Sequence, residues 1–154
     1  MTSFFRFLQI FSLGAWVGGI LFLSFILAPG AFTLLASRDQ AGTLVGFSLT
    51  RLHIGGIILG AIYLLASLVL AKSIAALGPP AVLCVVAMII LTAISQFGVT
   101  TRLAALRRQM VSVYATPPEN PLRAQFDRLH GISVKLESSV LLLGLVALYF
   151  TARQ

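Results

Sequence analysis

Three stretches of this chain contain no Asp, Glu, Lys or Arg: Phe7 to Ser37, Leu52 to Ala71 and Ser73 to Thr101. Each is long enough to cross the hydrocarbon layer of a bilayer, which takes roughly 20 helical residues. A fourth stretch, Leu129 to Tyr149, has the same length but is broken by Lys135 and Glu137. Four membrane-crossing helices are expected. Charged residues make up 10% of the chain, against about 25% in a soluble domain. The reading is an all-α polytopic membrane protein: one domain, residues 1–154, built as a four-transmembrane-helix bundle.

The helices are expected at about 4–28, 51–71, 81–115 and 126–150, the third carrying a cytoplasmic extension through Arg102 to Tyr114. Pro29-Gly30 should end the first, because the residue before a proline is pushed out of the helical region. A signal peptide is not expected, since the first apolar run far exceeds an h-region. Gly14 and Gly18 have the spacing that lets another backbone approach. Gln9, Trp16 and Leu23 share one face of the first helix, and His53, Gly56, Gly60 and Ser67 share one face of the second. Thr92, Ser95 and Gln96 lie together near the end of the third.

A net charge of +7 would point to nucleic acid in a soluble protein. Here the positive residues flank the apolar runs, so lipid and topology explain them and nucleic acid is not an expected partner. Arg38, Arg51, Arg102, Arg107, Arg108, Arg123 and Arg128 fall on the side of the long loops, against Arg6, Lys72 and Arg153 on the side of the termini. By the positive-inside rule, loops 29–50 and 102–127 are cytoplasmic and both termini lie outside. A bacterial inner membrane is the expected location. Arg51, Arg102 and Arg128 are read as interface anchors. The single Cys84 is read as a small buried hydrophobe.

The residues that demand explanation are polar groups inside the apolar runs. Glu137 lies about 13 Å along its helix from Arg128, at 1.5 Å per residue. That is near the middle of a core roughly 30 Å thick. It must point into the bundle, be protonated, or find a partner, for which Gln96, Tyr63 and His53 are candidates. His130, Ser133 and Glu137 share a face by their spacing. Lys135 lies nearly opposite and can snorkel to the surface. Arg-Leu-His recurs at Arg51-Leu52-His53 and Arg128-Leu129-His130, each opening a helix that enters from the same side. Two similar helical hairpins would produce this pattern.

Two imidazoles at equal depth could ligate haem iron or a soft metal, or relay protons, since histidine changes charge near neutral pH. They could equally serve as interhelical hydrogen-bonding groups. Three functions remain open: a polar site for haem or another porphyrin, a metal or a quinone-like ligand; a subunit moving protons, ions or small solutes; and a scaffold or assembly factor using the Arg102–Tyr114 extension. A homo-oligomer or a membrane-protein partner is compatible with each. No hydrolase triad or phosphate loop is present in the sequence, so enzymatic chemistry is not the leading expectation.

Phe126-Asp127-Arg128-Leu129-His130-Gly131-Ile132-Ser133, following a third helix with a basic extension, resembles the transmembrane protein 205-like family, domain of unknown function 4149. Trp16-Val17-Gly18-Gly19, Ala28-Pro29 and Phe32 fit the same pattern. The resemblance covers essentially the whole chain and implies a four-helix integral membrane protein without an established activity. Family members often carry asparagine where this chain has Glu137. More distantly, Leu8-Gln9-Ile10 with Trp16-Val17-Gly18-Gly19 is similar to the first helix of the copper-resistance D and HemJ-type families. Those families place a histidine where Gln9 stands, so their haem chemistry does not carry over.

Overall fold

The structure is a computed structural model and describes residues 2–71 and 79–153. It is all-helical, with four helices long and apolar enough to cross a membrane: α1 Thr2–Leu34, α2 Arg38–Ala71, α3 Pro80–Gln109 and α4 Pro121–Ala152. Lys72, Leu77 and Gly78 lie outside the described residues. α1 packs against α2, and α3 against α4; the two pairs close into a ring through α1–α4 and α2–α3. Large apolar side chains such as Phe25, Leu65, Phe97 and Leu142 point outward. In water that exposure would be costly, whereas beside lipid tails it is not. These features fit an integral membrane protein in contact with a bilayer.

α1 does not stop at Pro29. It runs on to Leu34 by widening into a π-helical turn at Leu23–Leu27, where the Ala28 amide bonds the Leu23 carbonyl. A proline inside a helix lacks a donor and presses on the carbonyl four residues back. The wider turn just before Pro29 relieves that conflict, as π-bulges do. α3 contains a second π segment, Ile94–Thr100, followed by nine α-helical residues. The first helix of each pair thus changes pitch shortly before its loop-side end.

Bundle contact depends on glycines other than those the GxxxG-like spacing suggested. Gly14 and Gly18 face outward, with nothing within 4 Å of an added Cβ. At Gly144 an added Cβ would lie 2.6 Å from Val17 Cγ2, and at Gly56 it would overlap the Trp16 indole. Trp16 is 1% exposed and packs into a core with Leu13, Ile20, Tyr63, Val85, Met88 and Val140. It is a packing residue of the bundle centre.

The extension of α3 ends at Gln109, where Met110 turns extended (φ −104°, ψ 135°), and it does not project to residue 115. It folds back instead. Leu106, Met110 and Val113 pack on Phe126 in a second small core. Asp39, in the first turn of α2, accepts from the Ser112 hydroxyl and, at 3.0 Å, from the Val113 amide. Arg107 Nη1 donates to the Asp39 carbonyl at 3.1 Å. α4 then starts early at Pro121, with Asn120 accepting from the Leu122 amide as its N-cap. Asp39→Ala removes two bonds to a carboxylate and is expected to cost about 2 kcal/mol. The visible result should be faster chymotryptic cleavage at Tyr114 in detergent; an unchanged cleavage rate would count against Asp39 as the tether.

Candidate functional site

His53 is at the centre of the loop-side half of the bundle, 1% exposed. Its position follows from the small stripe of α2: Gly56 and Gly60 bring Trp16 close, and His53 one turn earlier enters the space between α3 and α4. Nδ1 meets Gln96 Oε1 at 2.9 Å, and Nε2 meets Glu137 Oε2 at 3.0 Å. Gln96 sits in the π segment of α3, whose altered pitch presents it inward together with buried Ser95. Three helices are therefore joined by one hydrogen-bonded chain, Gln96–His53–Glu137.

The donor pattern follows from the amide. With Gln96 Oε1 accepting, Nδ1 carries a hydrogen, and Nε2 and Oε2 share a single proton. Imidazole with carboxylic acid and imidazolium with carboxylate both carry zero net charge. Either form lets the pair sit in a medium that penalises a lone charge by several kcal/mol. Glu137 is 13% exposed, so one side of the pair stays reachable.

What reaches it is a cavity of about 920 Å³ lined largely by apolar side chains from α1, α2 and α4. Asp127, His130, Ser133 and Glu137 line it as successive steps along α4, and Thr50 and Thr100 line it from α2 and α3. Thr100 Oγ1 is buried without a hydrogen-bond partner among the described residues. At the outer end stand Arg107, Arg108 and Arg123. Arg123 pairs with Asp127 through Nε at 2.9 Å. Arg107 lies over the Phe126 ring at 5.5 Å, and the same ring stacks with His130 at 6.3 Å and 5°.

The two histidines thus occupy different places: His53 is locked in the bundle, while His130 is exposed on the cavity wall. Their shared Arg-Leu-His context does not give them equivalent surroundings. Tyr63 is not part of this group. It bonds Thr151 Oγ1 at 2.8 Å, beside a Gln9–Ser67 bond of 2.8 Å, in a second polar cluster nearer the termini. Trp16, Met88 and Val140 belong to the apolar core between the clusters. Arg51 lies over Phe47 at 5.2 Å, and Arg102 and Arg128 are exposed.

Both nitrogens of His53 are engaged, Gln9 belongs to the other cluster, and the described residues hold no group of three or more His, Cys, Asp or Glu. The Asp39 tether and the orphaned Thr100 were not legible from residue spacing. Asp39 and Val113 are 74 positions apart, and Thr100 looks like any helical threonine.

The fold and site define an apolar four-helix bundle with a buried Gln–His–Glu chain bordering a cavity. Residues 11–112 match the family described as Domain of unknown function (DUF4149), and the chain belongs to that family. The match runs from within α1 to just past the end of α3, so Gln9 lies before it and His130, Ser133 and Glu137 lie beyond it. It does not itself extend to the 205-like, copper-resistance D or HemJ-type groups. Searches of curated proteins and of solved structures returned no match.

Proposed function

We propose that this membrane protein handles protons through the His53–Glu137 pair, taking them up from the cavity. One observation carries the reading: Glu137 is at once on the cavity wall and 3.0 Å from buried His53. A carboxyl that touches both an accessible space and a buried imidazole can accept a proton on one side and share it on the other. Asp127, His130 and Ser133 on the same wall supply polar steps for water between the loop side and Glu137. The count of seven loop-side cations against three supports a cytoplasmic mouth.

The apolar core around Trp16 and Met88 separates this pair from the Gln9–Tyr63 cluster. A proton crossing the membrane has to pass this core, which supports gated transfer over an open proton wire. For the scaffold reading, Leu106, Met110 and Val113 of the α3 extension are taken up by internal packing, and its exposed side chains such as Arg102 and Arg108 are what is left to meet a partner.

The test is proton movement in liposomes carrying an internal pH dye, with a potential imposed across the vesicle. Wild-type protein should exchange protons above the protein-free background, and Glu137→Gln should fall to that background. Equal flux in the two proteins would end this reading.

A further inference from the structure

The mouth of the cavity has a chemistry that proton handling does not use. Arg107, Arg108 and Arg123 line one end of the space. Of these, Arg123 alone has an ion-pair partner among the described residues, and that partner, Asp127, is half exposed. Arg107 spends Nη1 on the Asp39 carbonyl and, at 3.4 Å, on Thr43 Oγ1; both acceptors are neutral. Arg108 makes no hydrogen bond or ion pair with the described residues. Inward from the arginines the walls turn apolar, with Phe32, Val45, Leu49 and Leu103 leading to Leu23 and Leu141. From Arg123 to Leu141 the wall extends about 27 Å along α4 at 1.5 Å per residue.

We propose that this cavity binds one acidic phospholipid, its phosphate between the three guanidiniums and an acyl chain along the apolar wall. Guanidinium forks match phosphate oxygens in geometry as well as charge. The mouth lies where the loop-side arginines flank the apolar spans, at the level of a leaflet's headgroups. A zwitterionic lipid would bring a compensating cation to a site already crowded with them. A neutral quinone-like molecule would fill the apolar part and leave the guanidiniums unanswered. The inference rests on the cavity and its arginines, and it stands whether or not His53 and Glu137 move protons.

Native mass spectrometry of the full chain in non-ionic detergent gives the test, with phosphatidylglycerol, phosphatidylcholine, decyl-benzoquinone and inorganic phosphate as separate additions. One phosphatidylglycerol should be retained, with a preference over phosphatidylcholine of roughly ten-fold or more. Arg108→Gln should lower that retention by roughly ten-fold. Because Arg108 is exposed and makes no bond to the described residues, this variant is expected to keep the fold. Leu49→Trp, which fills the wall, should lower it too. Arg108→Gln should leave proton exchange in liposomes at the wild-type rate, which separates this result from the proton experiment. Equal retention of the two lipids, stronger retention of the quinone, or indifference to Arg108→Gln would overturn the proposal. Displacement of the lipid by millimolar inorganic phosphate would reassign the site to a free anion and overturn the lipid as its occupant.

Discussion

Gly56→Leu is expected to be the most damaging single substitution in the bundle, costing about 3 kcal/mol or more, the upper end of overpacking penalties. The Cβ alone would sit 2.9 Å from Trp16 Cδ1 and nearer still to Nε1 and Cε2 of the same ring. The indole has nowhere to go: it is 1% exposed and also lies against Gly60, where an added Cβ would be 2.9 Å from Trp16 Cζ3. The informative control is Gly14→Leu. Nothing stands within 4 Å of that position, and leucine is a better helix former than glycine by up to about 1 kcal/mol. The two variants should therefore shift stability in opposite directions, read as the midpoint of helix loss on titrating SDS into mild detergent. A gain in both would mean that the glycines matter for helix propensity and not for the approach of α1 to α2.

The second large effect is at His53. His53→Leu strands the Glu137 carboxyl and the Gln96 amide in the bundle, and breaking a buried pair from one side costs about 3–5 kcal/mol. Removing both ends is different in kind, because an apolar replacement of the pair leaves no buried charge to satisfy. The double variant His53→Leu, Glu137→Leu should recover most of the loss, leaving the unpaired Gln96 amide at about 1–3 kcal/mol. The same SDS titration measures both, and the difference is the coupling between α2 and α4. If the two single losses simply add, the 3.0 Å contact contributes nothing as a pair.

The experiments on Gly56 and His53 divide along what the residues alone could show. The stripe His53, Gly56, Gly60 and Ser67 follows from helical periodicity, and all four are buried. Which glycine receives a neighbour does not follow. Gly14 and Gly18 have the spacing associated with close helix contact, yet they face outward, while Gly144, with no such partner, meets Val17. Spacing marks a face that permits approach; the rotation of the whole helix about its axis decides whether anything approaches. Pro29 shows the same limit on a local scale. Its dihedral preference argues for a break, but the π turn before it absorbs the clash and the helix continues.

The candidate site was legible to a similar depth. Glu137 near mid-membrane, facing inward with Ser133, follows from counting residues from Arg128. Gln96, Tyr63 and His53 were each open to it as partners, and the fold selects His53 because α2 and α4 bring those two to one level. Tyr63, ten residues further along α2, is about 15 Å away at 1.5 Å per residue and serves the other cluster. The repeated Arg-Leu-His implied equal roles, and the bundle gives unequal ones. One histidine enters between α3 and α4, and the other stacks on Phe126 at the cavity.

The sequence by itself determined the medium and the number of crossings. Burial of charge in hydrocarbon is so costly that charge-free runs of this length admit few alternatives, and the cost depends on composition and not on partners. It also determined that Glu137 needs an answer. Tertiary structure alone decided what the answer is, where the cavity opens and what holds the Met110–Asn120 segment down. Those contacts join residues 43 to 84 positions apart, and their geometry depends on helix rotation and pitch. No local preference encodes either, because a helix has the same backbone energy whichever face it turns inward.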